Sequence, residues 1–221
     1  VIASGATLDL QATQTVATLD LDGTISNTAG TSTFIVSGAS DLNGNVTTTG
    51  TQTYTGAVTL SKATVTLTTT NANVSFGSTI DSDSGQTRNL TIDTNGNTGT
   101  IQLGGLVGNT DGLSAITLTG NLDLNANIVD AASLSVSGTS NLGANVTTTG
   151  TQTYTGATVL STDVTLTTTN NNVTFSSTVD SDAIGTKRDL TLTLGSGAAT
   201  FSGIVGTTSL ADITLNSSAT F

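Results

Sequence analysis

The sequence predicts an all-β fold and, within that class, a β-solenoid with roughly 20 residues per coil. Apolar residues alternate with Thr, Ser or Asp, as at Val65 and Leu67, which is the period of strands with one buried face. A long internal repeat also runs through the chain with no linker between its copies. A shorter period of roughly 20 residues lies within each copy, at the strand-opening positions Val46, Val65, Leu90, Ile116 and Leu134.

The stretch "NVTTTGTQTYTGA" from Asn45 to Ala57 returns unchanged from Asn145 to Ala157. Farther along, "TLTTTNANVSFGSTIDSD" returns as "TLTTTNNNVTFSSTVDSD". The repeat predicts that the same pattern of inward-facing and outward-facing residues recurs about every fifth coil. It divides the chain into a partial preceding repeat (1–36), a first full unit (37–136) and a second, incomplete unit (137–221).

Within each unit, pairs of apolar residues mark successive strands, and clusters such as "TNAN", "DSDSG" and "TNGNTG" supply the turns between them. Strict alternation predicts that both members of each pair point into one continuous core. The predicted core residues of the first unit are Val65, Leu67, Val74, Phe76, Leu90, Ile92, Ile116 and Leu118. Their counterparts in the second unit are Val164, Leu166, Val173, Phe175, Leu190, Leu192, Ile213 and Leu215.

Tandem Ig-like β-sandwiches are the alternative architecture, because about a hundred residues is also the natural size of such a domain. Three features favour the solenoid. A sandwich has no reason for an inner period of roughly 20 residues, the chain has no Trp and no Pro, and no linker separates the two units.

The composition excludes several functions. The formal net charge of -11 comes from 15 acidic and 4 basic residues, so phosphate backbones and anionic lipid surfaces are repelled. No apolar stretch is long enough for a membrane span. We therefore expect no nucleic-acid partner and no membrane insertion. Because the chain has no His and no Cys, it lacks the usual general base, nucleophile pair and soft-metal ligands, and we expect no enzyme activity.

The runs "NVTTTGTQTYTGAVTL", "TLTTTNANVSFGSTID" and "RNLTI" resemble the repeats of the very large filamentous-haemagglutinin-like surface proteins of bacteria, which are exported by two-partner secretion. The resemblance extends from about Ser37 to Phe221. It implies a right-handed parallel β-helix, an extracellular location on the bacterial cell surface, and a role in adhesion or in building a fibre. The secretion domain of that family is not recognisable in this sequence.

The sharpest local signal for a ligand is the pair Asp81 and Asp83 in "DSDSG", matched by Asp180 and Asp182 in "DSDAIG". Alternate carboxylates in a turn are candidate metal ligands for weak Ca²⁺ binding, and calcium is the one cofactor that the sequence suggests. The third acidic ligand and the closing Glu of a calcium loop are missing. The alternative is a purely structural role, in which Asp and Ser form the turn and bind no metal. We otherwise expect no cofactor.

The sequence contains two further patterns. Asn-x-Ser/Thr sequons, which are acceptors for N-glycosylation in family members that the chain resembles, also follow from turn chemistry in a chain rich in Asn and Thr. Examples are Asn45, Asn73, Asn89, Asn145 and Asn172. Thr-x-Thr runs such as "TQTYT" suggest a Thr-ladder ice-binding face, which needs the same outward pair on many consecutive coils. Strands such as "NLTID" and "NLDLN" interrupt that pattern.

The sequence therefore predicts a structural segment, a stalk or fibre, of an extracellular bacterial adhesin or filament. The alternative is a binding module, either tandem Ig-like domains or an ice-binding face. Expected partners are host or neighbouring-cell surface glycans or proteins, and further copies of the chain. Because "VIASGATLDL" and "DITLNSSATF" carry no helix and no charged cap, we expect both ends to stack on further coils.

Overall fold

A computed structural model describes residues 1–96 and 98–217, and every regular element in these ranges is a β-strand. The short strands follow from the sequence, because β-branched and apolar residues alternate over three to five positions before Gly, Asn or Asp turns the chain. In chain order the strands are β1 (Thr7–Asp9), β2 (Gln14–Val16), β3 (Leu19–Leu21), β4 (Thr24–Ser26), β5 (Phe34–Val36), β6 (Ser40–Leu42), β7 (Val46–Thr47), β8 (Gln52–Tyr54), β9 (Val58–Leu60), β10 (Thr64–Thr68), β11 (Val74–Phe76), β12 (Ile80–Ser82), β13 (Asn89–Asp93), β14 (Thr100–Leu103), β15 (Leu113–Thr119), β16 (Asn121–Leu124), β17 (Ile128–Val136), β18 (Ser140–Leu142), β19 (Val146–Thr148), β20 (Gln152–Tyr154), β21 (Thr158–Leu160), β22 (Val164–Thr167), β23 (Val173–Phe175), β24 (Val179–Ser181), β25 (Leu190–Gly195), β26 (Ala199–Phe201) and β27 (Ile213–Ser217).

The strands wind into a β-solenoid of about ten coils, in which each strand pairs in parallel with the strands one coil before and after it. Each coil has three faces. Face A contains β1, β4, β7, β10, β13, β15, the end of β17, β20, β23 and β26. Face B contains β2, β5, β8, β11, β14, β16, β18, β21 and β24. Face C contains β3, β6, β9, β12, a bridge at Val107, the start of β17, β19, β22, β25 and β27.

This architecture confirms the predicted β-solenoid, with coils about 21 residues apart. It excludes tandem Ig-like sandwiches, which are built from antiparallel strands. The length of a coil varies because the loops vary: Ile116 pairs with Leu134, 18 residues later, whereas Val74 pairs with Ile101, 27 residues later. The strands keep their register, and the loops absorb the additional residues.

The core is one column of apolar side chains inside the coils. Of the predicted core residues, all except Ile213 and Leu215 are buried. These two residues lie in register with Leu190 and Leu192 and so continue the inward column, yet each is 40% exposed. Their strand, β27, is paired on one side by β25, and no described strand covers its other side.

The sequence repeat is out of step with the three faces. Gln52 lies on face B, where it pairs with Val74, whereas its copy Gln152 lies on face A, where it pairs with Leu134. Between them the chain advances by fourteen face positions, which is four coils and two-thirds of a fifth. Every element of the second unit therefore lies one face away from its counterpart in the first unit.

Candidate functional site

The four Asp residues singled out from the sequence lie at two equivalent corners, at the ends of β12 and β24. Each corner contains an ion pair with two hydrogen bonds. Arg88 donates from Nε and Nη2 to the two carboxylate oxygens of Asp83, at 2.5 and 2.7 Å. Arg188 does the same to Asp182 at 2.9 and 3.1 Å. The second corner keeps this geometry although its loop is one residue longer.

The other acidic residue of each corner contacts the next coil. The Oδ1 atom of Asp81 accepts a hydrogen bond from the backbone N–H of Thr110, and Oδ1 of Asp180 accepts one from Thr208, both at 2.8 Å. Each corner therefore uses its first carboxylate to hold a neighbouring coil and its second carboxylate to hold an arginine.

A buried serine lies between the two carboxylates at each corner. The hydroxyl of Ser82 donates to the carbonyl of Gly112 and accepts from the N–H of Arg88, at 2.8 and 2.9 Å. Ser181 makes the equivalent bonds to Ser209 and Arg188, both at 3.0 Å. The motif Asp-Ser-Asp followed by Arg is thus a corner that closes one coil and fastens it to the next.

The ion pairs shift the ionisation of their members. Hydrogen bonds from Arg88 hold the pKa of Asp83 below its usual value, and hydrogen bonds from Arg188 do the same to the pKa of Asp182. In return, the carboxylates raise the pKa of both arginines. All four groups are therefore charged at neutral pH.

The corners differ from a standard calcium loop. No group of three acidic side chains comes together in residues 1–96 and 98–217. A guanidinium occupies the oxygens of Asp83 and of Asp182 that a cation needs. Calcium binding at Asp81 with Asp83, and at Asp180 with Asp182, stays a prediction.

A buried polar network explains the unchanged copies of "TQTYT". Gln52 is fully buried, and its Nε2 donates to the carbonyl of Thr68 at 2.9 Å and approaches the carbonyl of Val46 and the hydroxyl of Thr48, both at 3.2 Å. Its Oε1 accepts a hydrogen bond from the hydroxyl of Tyr54 at 3.1 Å. The network recurs around Gln152 and Tyr154.

Sequence reasoning missed this network because Gln and Tyr stood in positions that looked like part of an outward Thr array. The signal was present, since "QTY" alternates in step with Val46 before it and Val58 after it. An amide inside an apolar core is costly unless its donors and acceptors are all used. The whole constellation therefore has to be present together.

The five sequon asparagines named in the sequence analysis have a shared structural role. The side-chain carbonyl of each accepts a hydrogen bond from a backbone N–H on the next coil, at 2.8–3.1 Å. The donors, in order, are Thr66, Thr100, Ala115, Thr165 and Ala198. Fastening one coil to the next accounts for Asn at these places without any modification.

One open groove lies where face A turns into face B, across the short coils in the middle of the rod. Its polar lining includes Thr100, Asn121, Asp123, Thr139 and Asn141. The carboxylate of Asp123 accepts hydrogen bonds from Gln102, Asn125 and Asn141. Several amides and hydroxyls bond to one another here, whereas the buried hydroxyl of Ser140 in the lining has no hydrogen-bond partner among the described residues.

In the part of the chain described, no helix is long and apolar enough to cross a membrane. The coils of the rod are held together by the corner ion pairs, the buried Gln networks and the hydrogen bonds that the sequon asparagines accept from the next coil. Comparison with protein families, curated proteins and solved structures finds no match to this chain.

Proposed function

We propose that this chain is a structural segment, a stalk or fibre, of an extracellular bacterial surface adhesin or filament. The observation that carries the proposal is the single core, which continues without interruption from Leu10 to Leu194. Each coil buries its apolar residues against its two neighbours only, so such a rod lengthens by adding coils and needs no new domain interface. A stiff, extensible spacer is what a stalk requires.

The proposal assigns no catalysis to the chain. His and Cys are absent from the sequence, and two of the four basic residues, Arg88 and Arg188, are bound to carboxylates. The acidic corners fasten coils together through the same atoms that an acid–base pair would need. These contacts favour a structural role for the most chemically distinctive residues.

An extracellular location is supported by the resemblance of the repeats to two-partner-secretion surface proteins and by the absence of Cys, since thiols cross-link in oxidising surroundings. Surface glycans or proteins of a host or neighbouring cell are the proposed partners of the whole adhesin. In this proposal the rod positions a binding region and does not itself engage the receptor.

Further copies of the chain are the second class of proposed partner. Leu8 in β1 and both Ile213 and Leu215 in β27 are 40–42% exposed, so apolar side chains are accessible at both ends of the described rod. Strand edges with apolar side chains favour pairing with another strand edge. Sedimentation should therefore show concentration-dependent, end-to-end association. A stable monomer over a wide concentration range would contradict this part of the proposal.

The stalk function is tested on the bacterium that carries the gene. Gold-labelled antibodies raised against the rod should decorate projections on intact, unpermeabilised cells in electron micrographs. Deleting the segment in frame should shorten those projections and weaken attachment of the cells to surfaces. Labelling that requires permeabilised cells would overturn the proposal.

A further inference from the structure

The outward side of face A carries two parallel columns of hydroxyl residues over five consecutive coils. The strands involved are β15, the end of β17, β20, β23 and β26. The first column is Thr117, Ser135, Thr153, Thr174 and Thr200. The second column lies two residues farther along the chain, at the last residue of β15 and just past the ends of the other four strands. It consists of Thr119, Ser137, Thr155, Ser176 and Ser202.

Backbone pairing fixes both columns in register. Thr153 is the direct partner of Ser135 before it and of Thr174 after it. The second column follows the same ladder: the N–H groups of Thr155, Ser176 and Ser202 each donate to the preceding coil at 2.9 Å. The array therefore repeats at about 4.8 Å along the rod, and its two columns stand roughly 6.6 Å apart.

The array is uncharged. Residues 113–119, 133–137, 151–155, 172–176 and 198–202 contain no Asp, Lys or Arg, although the chain has a net charge of -11. One coil earlier, Asp93 pairs with Thr119 and ends the neutral region. Face B places Asp123 and Asp180 at the corresponding outward positions, so it has no comparable surface on these coils.

A stacked aromatic column supports the array from inside. The rings of Tyr154 and Phe175 lie 5.2 Å apart at 14°, and those of Phe175 and Phe201 lie 5.1 Å apart at 11°. Tyr154 and Phe175 are fully buried. Near-parallel rings under three successive strands support those strands at a regular spacing, since close-packed cores resist deformation.

We propose that this face binds the surface of an ice crystal. Each hydroxyl contact is weak because water competes for it. A rigid array makes many such contacts at once only if its partner is itself periodic. The binding affinity then increases with each contact, because neither surface has to lose further conformational entropy to form it. Ordered water is a periodic partner that can both donate to and accept from hydroxyl groups. Thr methyl groups and the absence of charged side chains do not hold the adjoining water in another orientation. That water can therefore adopt the lattice order of ice.

Thr-x-Thr runs in the sequence suggested an ice-binding face but not which strands would form it, because the array is assembled from both repeat units. Its first two strands belong to the unit 37–136 and its last three belong to the unit 137–221. The rotation of the repeat by one face brings them into line. The interrupting strands "NLTID" and "NLDLN" lie one coil earlier on face A and on face B, respectively. This inference is independent of the proposed stalk function.

The two exact copies of the thirteen-residue stretch supply a matched pair of variants. Thr153→Lys places a bulky charge in the middle of the array. Thr53→Lys makes the same change in an identical local sequence on face B, where the neighbours of Thr53 are Ile35 and Ser75. Thr153→Val, which keeps the shape of Thr and removes its hydroxyl, is a milder test at the same place.

Thermal hysteresis and inhibition of ice recrystallisation are measured on the purified chain, with melting temperatures as the check on folding. The native protein and Thr53→Lys should show equal activity, Thr153→Lys should lose most of it, and Thr153→Val should lose part of it. Two results would overturn the inference. One is a native protein without activity up to its solubility limit, and the other is an equal effect of the Lys substitution at both sites.

Discussion

Gln52 and Gln152 are the residues on which the interior depends most. Each places a primary amide inside an aliphatic core and is fully buried. Every polar atom of the amide is used: Nε2 bonds to backbone and hydroxyl oxygens, and Oε1 accepts from a tyrosine hydroxyl. Because the amide links two coils and a corner, it specifies which strand lies above which.

Replacing Gln152 with Leu should destabilise the rod by about 1–3 kcal/mol, because it removes the acceptor of the Tyr154 hydroxyl and the side-chain donor to the Thr167 carbonyl. Denaturant unfolding followed by circular dichroism measures the loss. Thr153→Ser, at the outward neighbouring position, is the control and should change stability little. Equal stability of the Leu variant and the native chain would mean that the amide is dispensable.

The corner ion pairs predict a specific pH dependence. The folded-state pKa values of Asp83 and Asp182 lie below the ordinary value of 3.8. Their stabilisation is therefore complete above that value, and it is lost as the pH falls through the lowered folded values. Asp9, whose pKa is lowered chiefly by a hydrogen bond from the Thr28 side chain, acts in the same direction.

The melting temperature of the native chain should therefore fall steeply below about pH 4. The double variant Asp83→Asn with Asp182→Asn should show a shallower fall, because two of the groups that bind protons on unfolding are gone. Thermal melts between pH 2 and pH 6 test this expectation. Identical slopes for the two proteins would show that the ion pairs do not control acid stability.

Arg88 also determines what calcium can do at its corner. Since its guanidinium covers both oxygens of Asp83, a cation has to displace it before using that carboxylate. Arg88→Gln should therefore strengthen any calcium binding, whereas Asp81→Asn with Asp83→Asn should abolish it. Calorimetry with Ca²⁺ compares the three proteins. If neither the native chain nor Arg88→Gln releases heat, the corner residues form a turn and bind no metal.

At the scale of single elements, the corners between faces require glycine where successive coils approach closely. Gly138 lies over Gly120, and Gly156 lies over Gly138, with each N–H donating to the carbonyl below at 3.1 Å. A Cβ atom on Gly156 would come closer than 3.0 Å to the carbonyl carbon and oxygen of Gly138. Because these are backbone atoms and not the end of a flexible side chain, the backbone itself would have to shift.

Gly156→Ala should accordingly cost about 1–3 kcal/mol through a backbone shift. Gly185→Ala is the matched control, because a Cβ at that exposed loop position would meet nothing within 4 Å. Denaturant unfolding of the two variants compares the sites directly. A Gly156→Ala protein as stable as Gly185→Ala would show that the corner can open without cost.

At the scale of the whole molecule, the distinctive property is the mismatch between repeat and coil. The copies advance by fourteen face positions, and fourteen is not a multiple of three. Surfaces that are identical in sequence therefore point in different directions from the rod. The side chains next to them also differ, as the neighbours of Thr53 and Thr153 show.

Engineered disulfides test this rotation, since the chain has no Cys of its own. Ser135 and Thr153 are partners on adjacent strands, about 4.8 Å apart, which lies within the range of a disulfide. Ser135→Cys with Thr153→Cys should cross-link on oxidation, and Asn141→Cys with Thr153→Cys should not. Reversed results would place Thr153 on face B, in phase with Thr53, and titration of the free thiols left in each oxidised variant distinguishes the two outcomes.

The local features were predictable from the sequence because they depend on near neighbours. Alternation fixed which side chains point inward, from Val65 to Leu192, and the inner period gave the coil length and thus the solenoid. The acidic corners were located, although the pairing of Asp83 with Arg88 was not foreseen, since a sequence does not show which way a loop folds back. The buried Gln–Tyr pairs were missed because their burial depends on a core whose contents the sequence does not display.

Only the tertiary structure decided how the coils are aligned about the axis. Loop lengths from coil to coil set where each strand begins, and the sum of those lengths determines the face on which a repeated segment arrives. A strand can join whichever face is within reach of its loop, and backbone pairing accepts many sequences at any given position. The sequence by itself therefore determined a parallel stack with an alternating core. The mutual placement of its two units, and with it the uncharged hydroxyl surface of face A, follows from long-range pairing that local patterns do not encode.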